Sequence, residues 1–223
     1  LRVAIDRALE GVGPAVFPCS EPPPADIPTS VDSEVAVVVQ TSGSTSRPKR
    51  VWHTAVSLWS AAAQVNDELQ GPGMWWHVLP SHYVAGLMVT VRASHSAGTV
   101  VARHPDQRIV DSLMAFDAEA NGLSRLIPRY TSLVPKQLSE LVRAAKKNHA
   151  VAKALSRFSQ ILVGGQQIPS PLMAAAQDLG LSVTKTYGAA ETGGGCVWDG
   201  TPLSQTEVKV IANRIALSGP MLA

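Results

Sequence analysis

The chain has 223 residues, of which 45% are hydrophobic and 16% charged, and its 19 Lys and Arg residues against 17 Asp and Glu residues give a net charge of +2. This composition is typical of a packed globular domain, and the small charge argues against a nucleic-acid partner. The two cysteines lack the spacing of a zinc site or a disulfide framework. The longest stretch without Asp, Glu, Lys or Arg, residues 69–91, contains glycines, prolines and histidines that disfavour a membrane-spanning helix. We therefore expect a soluble, cytoplasmic protein without a membrane partner.

The predicted elements alternate between strands and helices. The chain begins with a short amphipathic helix, a proline-rich connector, a strand of β-branched residues and a helix with Thr54 as its N-cap, at residues 2–10, 18–28, 35–39 and 54–69. We predict further extended segments at 75–79, 98–102, 132–134, 160–163 and 182–186, and helices at 84–94, 106–117, 135–145 and 169–179. This alternation is typical of an α/β fold with a mostly parallel sheet. From residue 195 onward short strands are predicted, including 207–211 and 214–217 joined by a turn at Asn213.

The first candidate site directly follows the strand at 35–39 and reads Thr41-Ser42-Gly43-Ser44-Thr45-Ser46-Arg47-Pro48-Lys49. Its hydroxyl groups, backbone N–H groups and lysine can all bind phosphate oxygens. The segment is not the usual P-loop, because Pro48 precedes the lysine and Arg50 follows it. A solvent-exposed loop without function remains an equal alternative on composition alone.

The second candidate site also follows a strand and reads Tyr187-Gly188-Ala189-Ala190-Glu191-Thr192-Gly193-Gly194-Gly195. Loops at the carboxyl ends of parallel strands are where α/β sheets bind ligands. A tyrosine can stack on a base, a glutamate can hold a divalent metal ion, and a threonine can bond a phosphate. The alternative is a glycine-rich turn that carries a buried tyrosine.

Taken together, the two loops resemble the motifs of the adenylate-forming superfamily of acyl-CoA ligases, luciferases and nonribosomal-peptide adenylation domains. The phosphate loop of that family reads T-S-G-[ST]-T-G-x-P-K, and this chain departs from it only where Ser46 replaces a glycine. The later family motif, Y-G-x-x-E, is complete at residues 187–191. Gly164-Gly165-Gln166-Gln167 is similar to the family segment whose backbone borders the adenine.

Within the superfamily the chain most resembles the o-succinylbenzoate–CoA ligases of menaquinone biosynthesis, in their compact actinobacterial form. Residues 79–87, 131–135 and 191–200 carry this narrower resemblance, which extends from about residue 35 to residue 223. It implies an α/β fold, the large N-terminal (AMP-binding) domain of the family, with mostly parallel sheets flanked by helices and short β-strands at the C-terminal end. Residues 1–223 would form this domain, and the small C-terminal domain of the family would be absent from this chain.

The reaction that the resemblance implies is an acid–thiol ligation that uses ATP, Mg²⁺ and coenzyme A. A carboxylate of o-succinylbenzoate attacks the α-phosphorus of ATP and releases pyrophosphate, and the thiol of coenzyme A then displaces AMP from the acyl-adenylate. Because one anion attacks another, catalysis must come mainly from positioning and charge neutralisation. Without the C-terminal domain and its lysine, we expect weak binding of nucleotide or acyl-adenylate and little full activity.

The resemblance also assigns roles to residues. Lys49, Glu191 and Thr192 are the predicted catalytic residues, with Lys49 on the phosphates, Glu191 helping to hold Mg²⁺ and Thr192 on the α-phosphate. The other predicted residues bind the nucleotide. The β- and γ-phosphates are bound by residues of the first loop: Thr41, Ser42, Gly43, Ser44 and Thr45. The adenine is bordered by the later segments, with the tyrosine stacked on it: Gly164, Gly165, Gln166, Tyr187 and Gly188. Ser46 narrows the backbone angles of the phosphate loop, and we expect it only to tune that loop.

The remaining predicted residues bind the acid. Arg92, six residues after Gly86, matches the position of an arginine that binds the carboxylate that does not react. A guanidinium is the natural bidentate partner of a carboxylate, although Arg92 could instead flank a helix face. Gly193 and Gly194 complete the predicted acid site with His82 and Tyr83, whose order is the reverse of the aromatic–histidine pair in many relatives. The histidine role therefore does not transfer to His82, and the role of Tyr83 stays open.

Three functions remain open from the sequence. The first is the ligase just described, and the second is an adenylating enzyme for another aryl or acyl acid. The third is a nucleotide-binding domain without catalysis, against which the intact Lys49, Glu191 and Thr192 argue. All three bind small molecules, and the sequence leaves open whether the chain forms a homodimer.

Overall fold

The computed structural model describes residues 1–19, 24–41, 49–124 and 126–223. Within these ranges the α-helices are α1 (Arg2–Leu9), α2 (Ala55–Asp67), α3 (Val84–His95), α4 (Ile109–Leu123), α5 (Pro135–Ala145), α6 (His149–Leu155) and α7 (Ser170–Asp178). The strands are β1 (Val35–Thr41), β2 (Lys49–Thr54), β3 (Met74–His77), β4 (Thr99–Ala102), β5 (Arg129–Leu133), β6 (Gln160–Val163), β7 (Val183–Ala189), β8 (Gly194–Trp198), β9 (Thr201–Pro202), β10 (Glu207–Ile211) and β11 (Arg214–Ser218). A single turn of 3-10 helix, Ala190–Thr192, lies between β7 and β8.

A seven-stranded sheet in the order β4-β3-β5-β6-β7-β8-β9 forms the centre of the molecule. The first five strands of this order pair in parallel, and β8 and β9 extend the sheet by antiparallel pairing. The predicted α/β fold, with a mostly parallel sheet and short strands towards the C-terminal end, is therefore confirmed. Because the parallel strands run in one direction, the loops that follow β3, β5, β6 and β7 meet at one edge of the sheet.

Two layers of helices cover the two faces of the sheet. Two consecutive tryptophans on β3 contribute to the cores on opposite faces. Trp76 packs with Phe116 and Phe158 in the core formed with α4, α5, α6 and α7. Trp75 points to the opposite face and packs with Tyr130 in the core formed with α2 and α3. Both tryptophans are fully buried. Side chains alternate between the two faces of a strand, so an uninterrupted apolar run fits a strand that is covered on both sides.

The β1–β2 hairpin packs beside the sheet on α1, α2 and α3. The predicted strand at 35–39 is present and buried on both faces, but its partner β2 was not expected from the sequence. On β2 the inward side chains are those of Val51 and His53, whereas Trp52 is exposed. A polar residue inside and an aromatic residue outside conceal the alternation by which a strand is normally recognised.

Other boundaries differ in small ways from the prediction. Helix α4 begins three residues later and ends six residues later than the predicted 106–117, and the strand predicted at 182–186 continues to Ala189. Helix α6 was not predicted. Thr54 is the N-cap of α2, as expected, because its hydroxyl accepts a hydrogen bond from the Ser57 backbone at 3.0 Å. Within the described ranges, no helix combines the length and the apolar character that crossing a membrane requires.

Candidate active site

A cavity of about 190 Å³ opens at the carboxyl edge of the parallel strands. It lies between the loop after β3, the start of α3, the loops after β5 and β6, and the β7–β8 turn. The residues around it are Leu79, Val84, Ala85, Arg92, Ser132, Leu133, Val134, Leu162, Gly164, Gly165, Thr186, Gly188, Ala189, Ala190, Gly194, Gly195 and Trp198. Of the predicted site residues, the structure thus brings together Arg92, Gly164, Gly165, Gly188 and Gly194.

Arg92 is the one charged residue on the wall of this cavity among the residues described. It is only 4% exposed, and its Nη1 donates a long hydrogen bond of 3.5 Å to the Ser132 hydroxyl. Within the described ranges, its Nε has no hydrogen-bond partner and no carboxylate forms an ion pair with it. Burial lowers the pKa of the guanidinium to about 10, so Arg92 is still a cation at neutral pH. The cavity therefore presents a positive charge that an anionic ligand can neutralise.

Close backbone contacts at two glycines shape another part of the cavity wall. A Cβ on Gly188 would overlap the carbonyl oxygen of Gly194, and a Cβ on Gly164 would overlap the Thr186 hydroxyl and lie 2.7 Å from the Thr186 carbonyl oxygen. Both glycines are therefore required for β7 to lie against β8 and against the loop after β6. The strand and the loop can approach in this way only because neither position carries a side chain.

The turn after β7 is held by hydrogen bonds of its own residues. The Thr192 hydroxyl accepts from the Ala189 backbone N–H at 2.9 Å and lies 2.7 Å from the carbonyl oxygen of Gly194, to which it can donate. Thr192 is almost completely buried, whereas Glu191 is exposed. The structure thus fixes the backbone of the turn through Thr192 and leaves the Glu191 carboxylate at the surface. The predicted contact of Thr192 with the α-phosphate stays a prediction.

The two ends of the predicted phosphate loop face each other across the β1–β2 hairpin. Thr41 pairs with Lys49, and its hydroxyl donates a hydrogen bond of 3.3 Å to the Lys49 carbonyl oxygen. The Lys49 side chain is exposed. The predicted phosphate-binding residues between these ends, Ser42, Gly43, Ser44 and Thr45, lie outside the described residues, as does Ser46.

Several predicted residues do not line this cavity. Tyr187 is 51% exposed, which rules out the buried tyrosine of the alternative interpretation, and it lines a neighbouring cavity between β7, β8 and the β10–β11 hairpin. Gln166 is exposed, and Gly193 packs against Ala61. His82 and Tyr83 precede α3, and their ring centroids lie 4.3 Å apart outside the residues that line the cavity. Their predicted roles in binding stay predictions.

Three residues that line the cavity and one buried residue beside the turn were not expected from the sequence. Ser132, Thr186 and Trp198 line the cavity beside predicted positions, and the Trp198 indole N–H has no hydrogen-bond partner in the described part of the chain. His53 on β2 is fully buried, and its Nε2 lies 2.9 Å from the Ala190 carbonyl oxygen. The sequence does contain a signal for Thr186, because residues two apart on a strand share a face and Thr186 lies two residues before the predicted Gly188. No sequence signal connects His53 with a turn 137 residues later.

A protein-only metal cage does not form in the described ranges, because no three His, Cys, Asp or Glu side chains come together there. Mg²⁺ is usually bound by one or two carboxylates together with substrate phosphates, and it retains several waters. An exposed carboxylate such as Glu191, on a turn that contacts β2, fits that kind of site. The Mg²⁺ assignment of Glu191 is compatible with the residues present.

The sequence model of the family described as "AMP-binding enzyme" matches residues 5–215. The chain belongs to the AMP-binding enzyme family. The match extends over nearly the whole chain and includes both loops that carry the sequence resemblance. The resemblance to the adenylate-forming superfamily is therefore confirmed at the level of the family, and the cavity at the carboxyl edge of the parallel strands is the candidate active site of an AMP-binding domain.

Two relatives within this AMP-binding family share a name. A protein of Mycobacterium tuberculosis named "Probable 2-succinylbenzoate--CoA ligase" is 40% identical over 196 residues, which are 86% of this chain and 49% of the relative. The 2-succinylbenzoate--CoA ligase of Lactococcus lactis is 31% identical over 185 residues, which are 78% of this chain and 35% of the relative. The chain thus spans half or less of the length of these curated relatives.

Solved structures show the same AMP-binding fold. The o-succinylbenzoate CoA synthetase of Bacillus subtilis in complex with the acyl-adenylate intermediate OSB-AMP matches with a TM-score of 0.72 at 22% identity, over 84% of this chain and 41% of that one. The same enzyme in complex with ATP and a magnesium ion matches with a TM-score of 0.71 at 22% identity, over 84% of this chain and 42% of that one. At this identity the comparison establishes the fold.

Proposed function

We propose that residues 1–223 are the large AMP-binding domain of an o-succinylbenzoate–CoA ligase of menaquinone biosynthesis. The observation that carries this proposal is Arg92, a buried cation without an anionic partner in the described part of the chain, on the wall of the candidate active site. The relatives named above support the same reaction. ATP, o-succinylbenzoate and coenzyme A are the proposed substrates.

The buried charge selects for an acid with two carboxylates. A lone cation in an apolar cavity is costly, and a ligand carboxylate offsets that cost through charge-assisted hydrogen bonds. A monocarboxylate cannot satisfy Arg92 and at the same time present its carboxylate to ATP. o-Succinylbenzoate carries one carboxylate for each task, with an aromatic ring between them that suits the apolar side chains of Leu79, Val84 and Leu133.

The chemistry proceeds in two steps. A carboxylate oxygen of the acid attacks the α-phosphorus of ATP, a new P–O bond forms, and the bond to pyrophosphate breaks. The thiol of coenzyme A then attacks the acyl carbon and AMP leaves. Arg92 orients the acid through its second carboxylate, and the backbone at Gly164 and Gly188 lines the same cavity. Glu191 would hold Mg²⁺ in part, and the bound ion would supply positive charge to the phosphates.

Calorimetric titration with two non-hydrolysable adenylates tests this proposal. We expect the o-succinylbenzoyl-adenylate analogue to bind at least tenfold more tightly than the benzoyl-adenylate analogue, a difference of about 1.4 kcal/mol. Arg92→Met should abolish the preference and leave the affinity for the benzoyl analogue unchanged. Arg108→Ala, which removes an exposed arginine outside the cavity, is the matched control.

The other two functions correspond to different outcomes. Equal affinity for both analogues would indicate an adenylating enzyme for another acid. A chain that binds ATP but, when supplied with acid and the C-terminal half of the Mycobacterium tuberculosis relative, releases no pyrophosphate would be a nucleotide-binding domain without catalysis. Either result would contradict the proposed function.

A further inference from the structure

His53 connects the strand that follows the predicted phosphate loop with the turn that carries Glu191. It lies four residues after Lys49 on β2 and is fully buried. Its Nε2 lies 2.9 Å from the carbonyl oxygen of Ala190, the residue before Glu191. Among the described residues this is the one side-chain hydrogen bond that joins β2 to the Ala190–Thr192 turn.

The surroundings of the ring select a single neutral tautomer. The Ala190 carbonyl can only accept, so Nε2 must carry the proton, and Nδ1 faces the Ser57 hydroxyl at 3.4 Å. Burial lowers the pKa of His53, an effect that the Ala190 carbonyl and the Glu191 carboxylate oppose only in part. His53 therefore acts as a fixed N–H donor towards the turn.

The carbonyl groups of Ala190 and Glu191 each accept a hydrogen bond from outside the turn, whereas the hydroxyl that faces the Ala189 carbonyl belongs to the turn itself. The Ala189 carbonyl faces the Thr192 hydroxyl of the same turn at 3.1 Å, and the Glu191 carbonyl accepts from the Ala223 backbone N–H at 2.9 Å. The Ala190 carbonyl accepts one hydrogen bond from the Gly193 backbone N–H at 3.2 Å and a second from Nε2 of His53. Of these contacts, only the hydrogen bond from His53 connects the turn with the β1–β2 hairpin.

We propose that His53 is a positioning residue that holds the Glu191 turn in register with the end of the phosphate loop at Lys49. The inference rests on the proposed function, in which Lys49 and Glu191 act on the same Mg²⁺–triphosphate. His53 itself does not line the cavity. A shift of about 1 Å between groups that act on one substrate can lower a rate a hundredfold. The loss of one buried hydrogen bond between β2 and the Ala190–Thr192 turn can therefore affect function.

Two amide substitutions that differ by one methylene group test the inference. In His53→Gln the side-chain NH₂ can reach the position of Nε2 and donate to Ala190, whereas the shorter side chain of His53→Asn cannot. The ligands, titrated calorimetrically into the full chain, are Mg²⁺ with α,β-methylene-ATP, and AMP. We expect His53→Asn to weaken binding of the Mg²⁺–triphosphate at least tenfold and AMP less than twofold, and His53→Gln to restore the triphosphate affinity to within about threefold of the unmodified chain.

Two further variants distinguish positioning from a general loss of structure. His53→Leu fills the same space without a donor and should behave like His53→Asn, which keeps the test decisive if either variant fails to fold. His77→Gln alters another buried histidine, on β3 and outside this cavity, and should change neither affinity. Equal losses for AMP and the triphosphate, or equal affinities in the Gln, Asn and Leu variants, would overturn the positioning role. An unmodified chain that binds neither ligand would instead contradict the proposed function.

Discussion

Arg92 and Arg129 are both buried arginines, with 4% and 3% of their surface exposed, yet their partners differ completely. Arg129 donates to the Asp117 carboxylate at 2.6 Å and to the Asn121 side chain at 2.9 Å. Arg92 has one long contact to a serine hydroxyl and, in the part of the chain that is described, no carboxylate. A cation that is satisfied within the fold stabilises it, whereas one that is not satisfied is available to a ligand. We therefore expect Arg129 to stabilise the fold and Arg92 to bind a ligand.

Exchange of each arginine for methionine should have opposite effects on stability. Arg92→Met removes a buried charge without a counterion, and we expect the free energy of unfolding to rise by about 1–3 kcal/mol. For a chain of this size each kcal/mol corresponds to about 2–4 °C in Tm. Arg129→Met leaves Asp117 with one fewer cation and should lower the free energy of unfolding by about 3 kcal/mol or more. Urea denaturation and thermal melts measure both, and a loss of stability in Arg92→Met would show that its charge is neutralised within the fold.

At the scale of elements, the sequence predicts the α/β alternation well because most strands are apolar runs and most helices carry clear start and stop signals. The exceptions have physical causes. On β2 an inward histidine interrupts the alternation, and the hairpin pairing of β1 depends on a contact that no local pattern encodes. The second motif is divided between two cavities, since Gly188 lines the candidate active site and Tyr187 lines its neighbour, with an irregularity of the β7–β8 register between them.

Which predicted residues share the cavity could not be read from the motifs alone. Arg92 follows a stretch of apolar residues on α3, and its sequence position fits a surface residue as well as a buried one. Its burial results from the packing of α3 between α2 and the sheet, which is a tertiary property. Gly188, in contrast, lies in a recognisable motif, and the structure shows that it is required because the Gly194 carbonyl leaves no space for a side chain.

Two glycine substitutions test this account of the β7–β8 contact. Gly188→Ala should separate the strands, lower the free energy of unfolding by about 1–3 kcal/mol and weaken binding of the adenylate analogues, because overpacking forces the backbone to shift. Gly122→Ala in α4, where no described atom apart from its chain neighbours and the backbone of its own helix lies within 4 Å of the new methyl group, should instead raise stability by about 0.5–1 kcal/mol. Urea denaturation and calorimetry measure both properties. Unchanged affinity in Gly188→Ala would show that the cavity tolerates a wider separation of the strands.

At the scale of the whole molecule, two buried histidines should link stability to pH. Burial lowers the pKa of both His53 and His77 from the ordinary value of 6.5, and contacts with the Ala190 and Leu79 backbone oppose this only in part. As the pH falls through 6.5, the unfolded chain therefore takes up protons that the folded chain does not bind. The stability is fully present above about pH 6.5 and decreases as the pH falls below it.

We expect the free energy of unfolding, measured by urea denaturation between pH 7.5 and 5.5, to fall by at most about 1.4 kcal/mol per pH unit for each histidine. The double substitution His53→Gln and His77→Gln should flatten this dependence, because neither amide titrates. His149→Gln, at an exposed position on α6, should leave the slope unchanged. If the double variant keeps the full slope, the pH dependence arises from carboxylates elsewhere. A smaller slope in the double variant, with an unchanged slope in His149→Gln, would show that the neutral form of at least one of the two buried histidines supports the fold.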